Sequence, residues 1–585
     1  MAPSAIPPPT TSESTPDTRP KILIPEKVSP DGLALLTPHF QIDQRTSLSA
    51  SDLLSLIPSY TALIIRSETK VTSAVLQAAH SLKVVARAGV GVDNIDIDAA
   101  TKHGIIVVNS PSGNIAAAAE HTIALMMAVA RNVCAGDRGL REGGWERGKL
   151  VGREVGGKVL GIVGLGKVGV KVARMGVGLG MKVVAVDPYA SAEVAAGLGV
   201  QLVGNLKDML GTVDFLTVHT PLIASTMDMI GKEELQMMKK TAMVLNVARG
   251  GVYNEDALLE ALDTGVIAGA GLDVFTSEPP VEGSAAWKLA RHSRVVATPH
   301  LGASTVEAQE SVSVDVCTQV RAILLGGMPT SAVNAPLILP EEYKKLQPFV
   351  RLLEKMGSLY TQHYGGKSGA GGIGGGRKFE IVYEGELAGM TNTRPLFAAL
   401  VKGLLGSISE RGGRDVNIVN AGGLARERGI VVSETRSGGG GGVGGSGSLV
   451  TLRVDGGEGR EEQVISGFVS GRGVWISRLD RFRTSFAPEG TLCVLRNNDE
   501  PGKIGVVGGI LGRHGINIRF MSVAALEKDE DGDDSQGEGN AKDRVEGELK
   551  NEALMILGVD GVVGKEVEAE LRGATGIFDV SIVVL

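Results

Sequence analysis

Three polar side chains with complementary chemistry, Arg249, Glu278 and His300, each stand shortly beyond a predicted β-strand. Hydride transfer to or from a 2-hydroxy acid needs a cation for the substrate carboxylate, a base for the hydroxyl proton and an acid that stabilises the protonated base. Arginine, histidine and glutamate supply these roles, because a neighbouring carboxylate favours the imidazolium. The trio predicts a dehydrogenase site, and unrelated charges at the starts of loops are the alternative.

A glycine-rich turn provides a place for the second reactant. The segment 159–169, VLGIVGLGKVG, runs from an apolar strand into Gly164, Gly166 and Gly169, and a helix is predicted to follow. In this spacing the first glycine permits the turn, the second admits a pyrophosphate and the third lets the helix pack on the strand. The turn predicts dinucleotide binding, whereas a βαβ crossover that binds nothing is the alternative reading.

Asp187 ends the next predicted strand and indicates which dinucleotide is bound. It lies 18 residues after the last glycine, about the distance expected of a carboxylate that binds a ribose. Pro188 and Tyr189 follow, so no adjacent Arg or Lys is available to receive a 2′-phosphate. The sequence therefore favours NAD over NADP.

The elements that must position these residues alternate between short β-branched runs and helical stretches from Lys21 onward. Such alternation predicts an α/β fold with parallel sheets, in which ligands bind at the carboxyl ends of the strands. Arg66 and Arg87 close two of these strands, although a solvated strand end is an equal alternative for each. Ser304 and Glu307 predict a capping box for a helix that reaches about Leu325.

Bulk properties restrict the class of protein. A chain of 585 residues exceeds one hydrophobic core, so three or four domains are expected. Only 4% of residues are aromatic and the net charge is −7, which argues against a nucleic-acid surface. No apolar run is long enough for a membrane span. Cys134, Cys317 and Cys493 are isolated, so neither a disulfide framework nor a metal site is predicted. Residues 1–20 predict a disordered tail without targeting features, and hence a cytoplasmic protein.

Four blocks, VGLGKVG, VARGGVYNEDAL, AGLDVFTSEPP and TPHLGAST, occur in one order, and through them the chain from Lys21 to about Leu325 resembles the D-isomer-specific 2-hydroxyacid dehydrogenases. Three further blocks, ARAGVGVDNID, SPSGNIAAAAEHT and WERGKLVGREVGGK, are similar to the phosphoglycerate dehydrogenase branch of that family. The resemblance implies a Rossmann-like nucleotide domain at 118–300, inserted in a flavodoxin-like substrate domain formed by 21–117 and 301–335.

The resemblance also implies roles for individual residues. His300 becomes the proton donor and acceptor, Glu278 its partner and Arg249 the carboxylate clamp. The substrate implied is 3-phosphoglycerate, held by Arg66, Arg87, Arg147 and Arg249, with Arg147 contributed by a neighbouring subunit of a homodimer or homotetramer. Arginine suits phosphate because it binds oxygen pairs in a bidentate manner. Val90 stands where the family often has threonine. The residues implied to line NAD are Val90, Gly164, Gly166, Lys167, Val168, Gly169, Asp187, Thr220, Val247, Ala248, Asp273, His300, Leu301, Gly302 and Ala303.

The C-terminal part resembles an α+β intervening domain at 340–483 and a ferredoxin-like ACT domain at 490–585. Glycine-rich stretches at 365–376 and 438–447 and an acidic insert at 527–550 predict loops. ACT domains bind amino acids between subunits, so the resemblance implies L-serine as an effector, with Asn497, Asp499 and Asn517 as candidate contacts. Asn497 and Asp499 stand where serine-responsive relatives often have His and Asn, and an ACT domain used only for assembly is the alternative.

Two competing functions stay open from the sequence. A hydroxypyruvate or glyoxylate reductase would use the same trio, yet it has less need of the additional arginines and no ACT domain. An NADH-sensing transcriptional corepressor is the second alternative, since some members of this fold have that role and a fold alone does not determine function. The leading hypothesis is NAD-dependent oxidation of 3-phosphoglycerate to 3-phosphohydroxypyruvate, the first step of L-serine synthesis.

Overall fold

Short runs of Ile, Leu and Val in the N-terminal segment form a parallel sheet with strand order β2-β1-β3-β4-β5, the order of flavodoxin-like folds. The computed structural model describes residues 19–365, 377–409, 413, 416–437, 448–455, 462–471, 473–526 and 551–585. The strands of this first sheet are β1 (Lys21–Ile24), β2 (Gln41–Gln44), β3 (Ala62–Ile65), β4 (Val84–Arg87) and β5 (Ile106–Asn109). The connecting helices are α1 (Pro30–Leu36), α2 (Ala50–Leu56), α3 (Ser73–Ala78) and α4 (Ile97–Lys102).

The second sheet has the order β12-β11-β10-β9-β6-β7-β8 and is parallel throughout. The order reverses between β6 and β9, which is the position where doubly wound sheets bind dinucleotides. Its strands are β6 (Val159–Val163), β7 (Lys182–Val186), β8 (Val200–Leu202), β9 (Phe215–Val218), β10 (Met243–Asn246), β11 (Gly269–Leu272) and β12 (Val295–Ala297). The α/β, Rossmann-like prediction is therefore confirmed.

The helices of this part of the chain are α5 (Ile115–Ala130), α6 (Val133–Arg141), α7 (Lys167–Gly178), α8 (Ala192–Gly197), α9 (Lys207–Leu210), α10 (Lys232–Met237), α11 (Glu255–Asp263), α12 (Ala285–Arg291) and α13 (Val306–Leu324). All of them except α6 and α13 contribute buried side chains to two apolar clusters of the second sheet. Helix α13 returns to the first sheet, where the Ser313 hydroxyl accepts a hydrogen bond from the Ser29 amide and the Gln319 side chain donates to the Asn109 carbonyl.

The capping prediction for α13 was wrong by one residue. Thr305, in an extended conformation, caps the helix, and its side chain accepts a hydrogen bond from the Ala308 amide. Ser304 instead closes the preceding turn, because its amide donates to the Leu301 carbonyl. Thr305 is therefore the residue that accepts the hydrogen bond typical of an N-cap.

The C-terminal segments form two more sheets in the described residues. The third sheet has the order β14-β13-β15-β16-β17-β18, and the fourth has β20-β21-β19-β22, the ferredoxin-like order expected of an ACT domain. The strands are β13 (Lys378–Glu384), β14 (Val431–Ser437), β15 (Leu449–Val454), β16 (Gln463–Ser470), β17 (Gly473–Leu479), β18 (Phe482–Phe486), β19 (Thr491–Asn498), β20 (Ile518–Ala525), β21 (Glu552–Val559) and β22 (Ile577–Val584). The helices are α14 (Pro340–Tyr364), α15 (Arg394–Gly406), α16 (Ala421–Glu427), α17 (Lys503–Arg513) and α18 (Lys565–Gly573).

Strand β21 is buried on both faces, which explains its uninterrupted apolar run ALMILGV. Met555 and Leu557 pack with α17 and α18, whereas Leu554 and Ile556 join an apolar cluster that includes Leu353 of α14. The third and fourth sheets therefore contribute side chains to one hydrophobic cluster. Arg481, which follows β17 of the third sheet, forms an ion pair with the buried Glu552 across the same junction, and Arg496 of the neighbouring strand β19 pairs with the same carboxylate.

Contacts divide the chain into two units. The first comprises Met1–Val71, Val85–Ile95 and Val108–Leu325, and the second comprises Thr72–Val84, Asp96–Val107 and Gly326–Leu585. The sequence-based domain boundaries stay a prediction. The predicted tail, the glycine-rich stretches after Gly365 and the acidic insert lie outside the described residues. Among the helices described, none is long and apolar enough to cross a membrane.

The shared cluster makes a prediction for stability. We expect Leu554→Ala to lower the free energy of unfolding of the C-terminal unit by about 2–5 kcal/mol, because a buried leucine leaves a cavity. Urea denaturation followed by circular dichroism measures the loss. Val562→Ala, at a position that is 91% exposed, is the matched control and should change stability by less than about 0.5 kcal/mol. Equal stability of the two variants would contradict the shared cluster.

Candidate active site

The glycine turn at the start of α7 has the geometry of a phosphate-binding loop. The backbone of Gly164 has a φ of +92°, a value that residues with a side chain rarely adopt. A Cβ at Gly169 would overlap the Gly164 carbonyl, so only glycine allows α7 to approach the strand this closely. Gly166 is the N-terminal cap of α7, and a Cβ added there would have open space around it, with nothing within 4 Å. This open space lies where the helix amides can receive an anion.

Asp187 lies at the end of β7, beside the glycine turn. Its carboxylate accepts hydrogen bonds from the amides of Leu165, at 2.7 Å, and Tyr189, at 2.8 Å. The side chain is thus held in a fixed orientation at the switch point of the sheet. A carboxylate in this place suits a ribose with free hydroxyl groups and repels a 2′-phosphate.

A cleft of about 470 Å³ runs from the glycine turn to His300. The predicted cofactor residues that line it are Val90, Gly166, Lys167, Val168, Thr220, Val247, Ala248, Asp273, His300, Gly302 and Ala303. Gly164, Gly169 and Asp187 lie outside that lining and shape the turn, and Leu301 is a surface residue beside it. The Thr220 hydroxyl is buried and has no hydrogen-bond partner in the part of the chain that is described. That orphaned hydroxyl and the open space at Gly166 fit a dinucleotide.

The turn that carries His300 is held by Asp273. The Asp273 carboxylate accepts from the Thr298 hydroxyl at 2.6 Å and from the amides of Leu301 and Gly302 at 2.7 and 2.8 Å. Burial raises the pKa of Asp273, but these bonds and one from His121 outweigh it and lower the pKa. The predicted contact between Asp273 and NAD stays a prediction. His121 Nε2 lies 3.0 Å from the Thr298 hydroxyl and 3.2 Å from Asp273, so its ring is part of the same network.

His300 forms the central pair of the site with Glu278. Its Nδ1 lies 2.7 Å from Glu278 Oε2, and both side chains are partly exposed. Burial raises the pKa of Glu278, but hydrogen bonds from His300 and the Phe275 amide more than offset this and lower it. The pairing at Nδ1 leaves Nε2 for a substrate. His219 lines the same cleft, and burial lowers its pKa to about 4, so its imidazole is neutral.

Arg249 lines the cleft, and Arg87, which lies close to both Arg249 and Arg66, is outside that lining together with Arg66. Arg249 donates to the Ala248 carbonyl at 2.6 Å and lies 3.3 Å from Asp93, and a Cβ at Gly91 would overlap its guanidinium. Burial and the nearby charges of Arg249 and Arg66 lower the pKa of Arg87. Arg87 itself bonds to the carbonyls of Gly91 and Arg66. The structure therefore brings together three of the four predicted substrate arginines.

Arg147 is not part of this group of arginines. It lies in a short 3-10 helix, Arg147–Leu150, and is exposed. That it serves a neighbouring subunit stays a prediction. The three candidate effector contacts also do not converge. Asn497 stands beside Ala553 on β21, whereas Asn517 bonds to Asp560 beyond the opposite end of that strand, and Asp499 is exposed near Asn497.

Several residues at this site were missed by the sequence analysis. Glu26, Asp93 and Asn94 organise the loops that carry the arginines. Glu26 could have been predicted, because it lies shortly after the end of β1, and ligands bind at the carboxyl ends of strands. Asp93 and Asn94 lie in the glycine loop after β4, and no spacing distinguishes them from other loop residues.

Comparison with known proteins places this site in a family. Residues 123–302 match the model of the D-isomer specific 2-hydroxyacid dehydrogenase, NAD binding domain, and residues 345–475 match that of the D-3-phosphoglycerate dehydrogenase intervening domain. The chain is 38% identical over 560 residues to D-3-phosphoglycerate dehydrogenase of Synechocystis, which covers 96% of this chain and 94% of the relative. The chain belongs to the D-3-phosphoglycerate dehydrogenase family.

A second relative and a solved structure are also similar to this chain. D-3-phosphoglycerate dehydrogenase 3, chloroplastic, of Arabidopsis thaliana is 42% identical over 518 residues, 87% of this chain and 86% of the relative. The crystal structure of TT0316 protein from Thermus thermophilus is 32% identical, with a TM-score of 0.50 over 54% of this chain and 99% of its own. The matched NAD-binding domain, together with the turn at Gly166 and Asp187, makes NAD the cofactor of this phosphoglycerate dehydrogenase family member.

The glycine turn makes a prediction for cofactor binding. We expect Gly166→Ala to fold like the parent protein and to weaken NADH binding about tenfold or more, because the new methyl group enters the space for the pyrophosphate. Gly169→Ala should lower both the melting temperature and NADH affinity, since it forces α7 away from Gly164. Fluorescence titration and thermal melting measure the two effects. Unchanged affinity in a folded Gly166→Ala protein would show that NADH does not use this turn.

Proposed function

We propose that the chain oxidises 3-phospho-D-glycerate to 3-phosphohydroxypyruvate with NAD, the first step of L-serine synthesis. The observation that carries the proposal is the His300–Glu278 pair at a cleft that Arg249 also lines, with Arg87 next to Arg249 and Arg66 next to Arg87. The names of full-length relatives in cyanobacteria and plants support the same substrate. The cluster has more positive charge than one substrate carboxylate requires, and a phosphorylated acid supplies the second anionic group.

The roles follow from the contacts of each side chain. NAD, when bound, supplies the acceptor for the hydride. Arg249 binds the carboxylate of the hydroxy acid. Its guanidinium lines the cleft and has further N–H donors besides the one that bonds to the Ala248 carbonyl. His300 takes the hydroxyl proton at Nε2, and Glu278 stabilises the resulting imidazolium through Nδ1. Asp273 keeps the His300 turn in place.

Two other functions predict different assay results. Purified protein with NAD and 3-phosphoglycerate, with the keto product trapped, should form NADH. A glyoxylate or hydroxypyruvate reductase would show no absorbance change in that assay but would consume NADH with glyoxylate. An NADH-sensing corepressor would bind NADH without turnover of either substrate. Each of the last two results would replace the proposed activity.

His300 provides a direct test of the proton-transfer role. We expect His300→Ala to lower kcat by about 10²–10⁴-fold, the range usual for loss of a general acid–base, while NADH affinity changes little. Steady-state kinetics and fluorescence titration give the two numbers. Equal losses of turnover and of NADH binding would indicate damage to the turn held by Asp273 rather than loss of a proton donor.

Arg66 tests the identity of the substrate. We expect Arg66→Ala to raise KM for 3-phosphohydroxypyruvate about tenfold or more, and KM for hydroxypyruvate much less, because only the first carries the phosphate. The comparison is made in the reductive direction with NADH in both cases. If KM rises equally for the two substrates, Arg66 does not bind the phosphate.

Exposed apolar residues around α6 support a homodimer or homotetramer. Helix α6 has no buried residue among those described in it, and Trp145 and Val151 nearby are 77% and 80% exposed. A cluster of this kind, next to Arg147, fits a second copy of the chain that receives Arg147 in its cleft. Mass photometry should give a dimer or larger species, and Trp145→Ser should shift it toward the monomer. If the parent protein is a monomer, Arg147 cannot reach the cleft of a second copy and does not bind the substrate.

L-serine is the proposed effector of the ferredoxin-like domain. Asn497 is almost fully buried, and its side-chain oxygen has no partner among the described residues. Because Asn517 lies at the opposite end of the sheet, an effector that contacts both needs two copies of this domain. A serine titration of the forward rate tests the proposal, and an unchanged rate would leave the domain a role in assembly alone.

The thiols support a cytoplasmic location. Cys317 and Cys493 are buried and free, and burial raises their pKa values to about 12 and about 11. Free thiols are typical of reducing compartments. Fractionation of cells that produce the protein tests this, and recovery in an organelle would contradict it.

A further inference from the structure

A buried carboxylate organises the turn that presents Arg66. Glu26 lies just beyond β1 and is 7% exposed. Its oxygens accept hydrogen bonds from the backbone amides of Arg66 at 2.8 Å, Glu68 at 3.2 Å and Thr69 at 3.0 Å. Glutamate is seldom buried unless its oxygens have such partners. The turn after β3 is therefore wrapped around one side chain from another strand.

Asn94 holds the same turn from its carbonyl side. The Asn94 side-chain nitrogen donates to the carbonyl of Arg66 at 2.9 Å and to that of Thr69 at 2.7 Å. Arg87 adds a bond of 3.3 Å from Nε to the Arg66 carbonyl. Both polar groups of the Arg66 backbone are thus engaged by side chains from other strands.

The Arg66 guanidinium depends on this backbone for its position. Within the described ranges, the side chain of Arg66 has no hydrogen bond or ion pair of its own. It lies close enough to Arg87 to contribute to the lowered pKa of that residue, and the negative charge of Glu26 acts on Arg87 in the opposite sense. The turn therefore sets the position of the backbone from which the Arg66 side chain extends.

The sheet itself does not require these bonds. Strands β1 and β3 are already in register through Ile22 with Ala62 and Leu23 with Leu63, and all four side chains are fully buried. Glu26 engages only residues that follow the end of β3. Its contacts therefore order the rim of the cleft rather than the core beneath it.

We propose that Glu26 is a positioning residue for the phosphate of the substrate, acting through the Arg66–Thr69 turn. The proposal rests on the proposed function, in which Arg66 binds that phosphate. Glu26 does not touch the substrate. It fixes the backbone from which Arg66 extends, so that phosphate binding has to order the Arg66 side chain but not the turn as well.

The test is Glu26→Gln, which retains size but replaces one acceptor oxygen with an amide that cannot receive the backbone N–H groups. We expect KM for 3-phosphohydroxypyruvate to rise about tenfold, with KM for hydroxypyruvate and the affinity for NADH changed less than about threefold. Glu68→Gln, at an exposed position of the same turn, is the matched control and should leave all three values unchanged. Hydrogen exchange should show faster exchange at the amides of Arg66, Glu68 and Thr69 in Glu26→Gln alone.

A double-mutant cycle separates positioning from general damage. If Glu26 acts through Arg66, then Glu26→Gln should add little to the KM increase of Arg66→Ala for the phosphorylated substrate. Additive increases, or equal increases of KM for both substrates, would overturn the proposal. Should Glu26→Gln fail to fold, Glu26→Asp, which shortens the reach to the amides, replaces it in the same comparisons. Failure of the parent enzyme to use 3-phosphohydroxypyruvate would instead contradict the proposed function.

Discussion

The Asp273 carboxylate holds the turn on which the rest of the candidate site depends. It is almost fully buried, yet it satisfies the backbone of Leu301 and Gly302 and the hydroxyl of Thr298. A buried charge is stable only when such partners replace water. His300, with φ of +54°, sits in an uncommon left-handed conformation inside this turn. The network around Asp273 therefore fixes the direction in which the imidazole leaves the backbone, and so its meeting with Glu278.

Charge on the opposite side of the cleft is arranged by the same means. Arg66, Arg87 and Arg249 would repel one another in the absence of ligand, and the lowered pKa of Arg87 reflects that proximity together with burial. Asp93 pairs with Arg249 and itself lines the cleft, whereas Glu26 is buried outside that lining and its negative charge acts on Arg87. Both carboxylates reduce the mutual repulsion of the arginines.

The sequence predicted those parts of the site that follow from strand ends and glycine spacing. Gly164, Gly169 and Asp187 stand where the pattern required, because turn conformation, helix packing and strand length leave few alternatives. Asn94 was missed, since its contacts join segments far apart in the chain and no local pattern records them. Glu26 was missed although it follows β1 much as Arg66 follows β3. The cap was placed one residue early because Ser304 and Thr305 are adjacent and both residue types are common caps. The cluster that the third and fourth sheets share could not be predicted, because β21 is apolar on both faces and its sequence does not indicate which elements cover each face.

The clamp on Asp187 limits how cofactor preference can evolve in this chain. The same carboxylate that is predicted to bind the ribose also anchors the amides of Leu165 and Tyr189, one of which belongs to the glycine turn. Exchange of this residue for a small neutral one, the simplest route to a phosphorylated dinucleotide, would release two backbone groups at once. A lineage that switched would first need another acceptor for those amides, which makes the present preference a conservative trait.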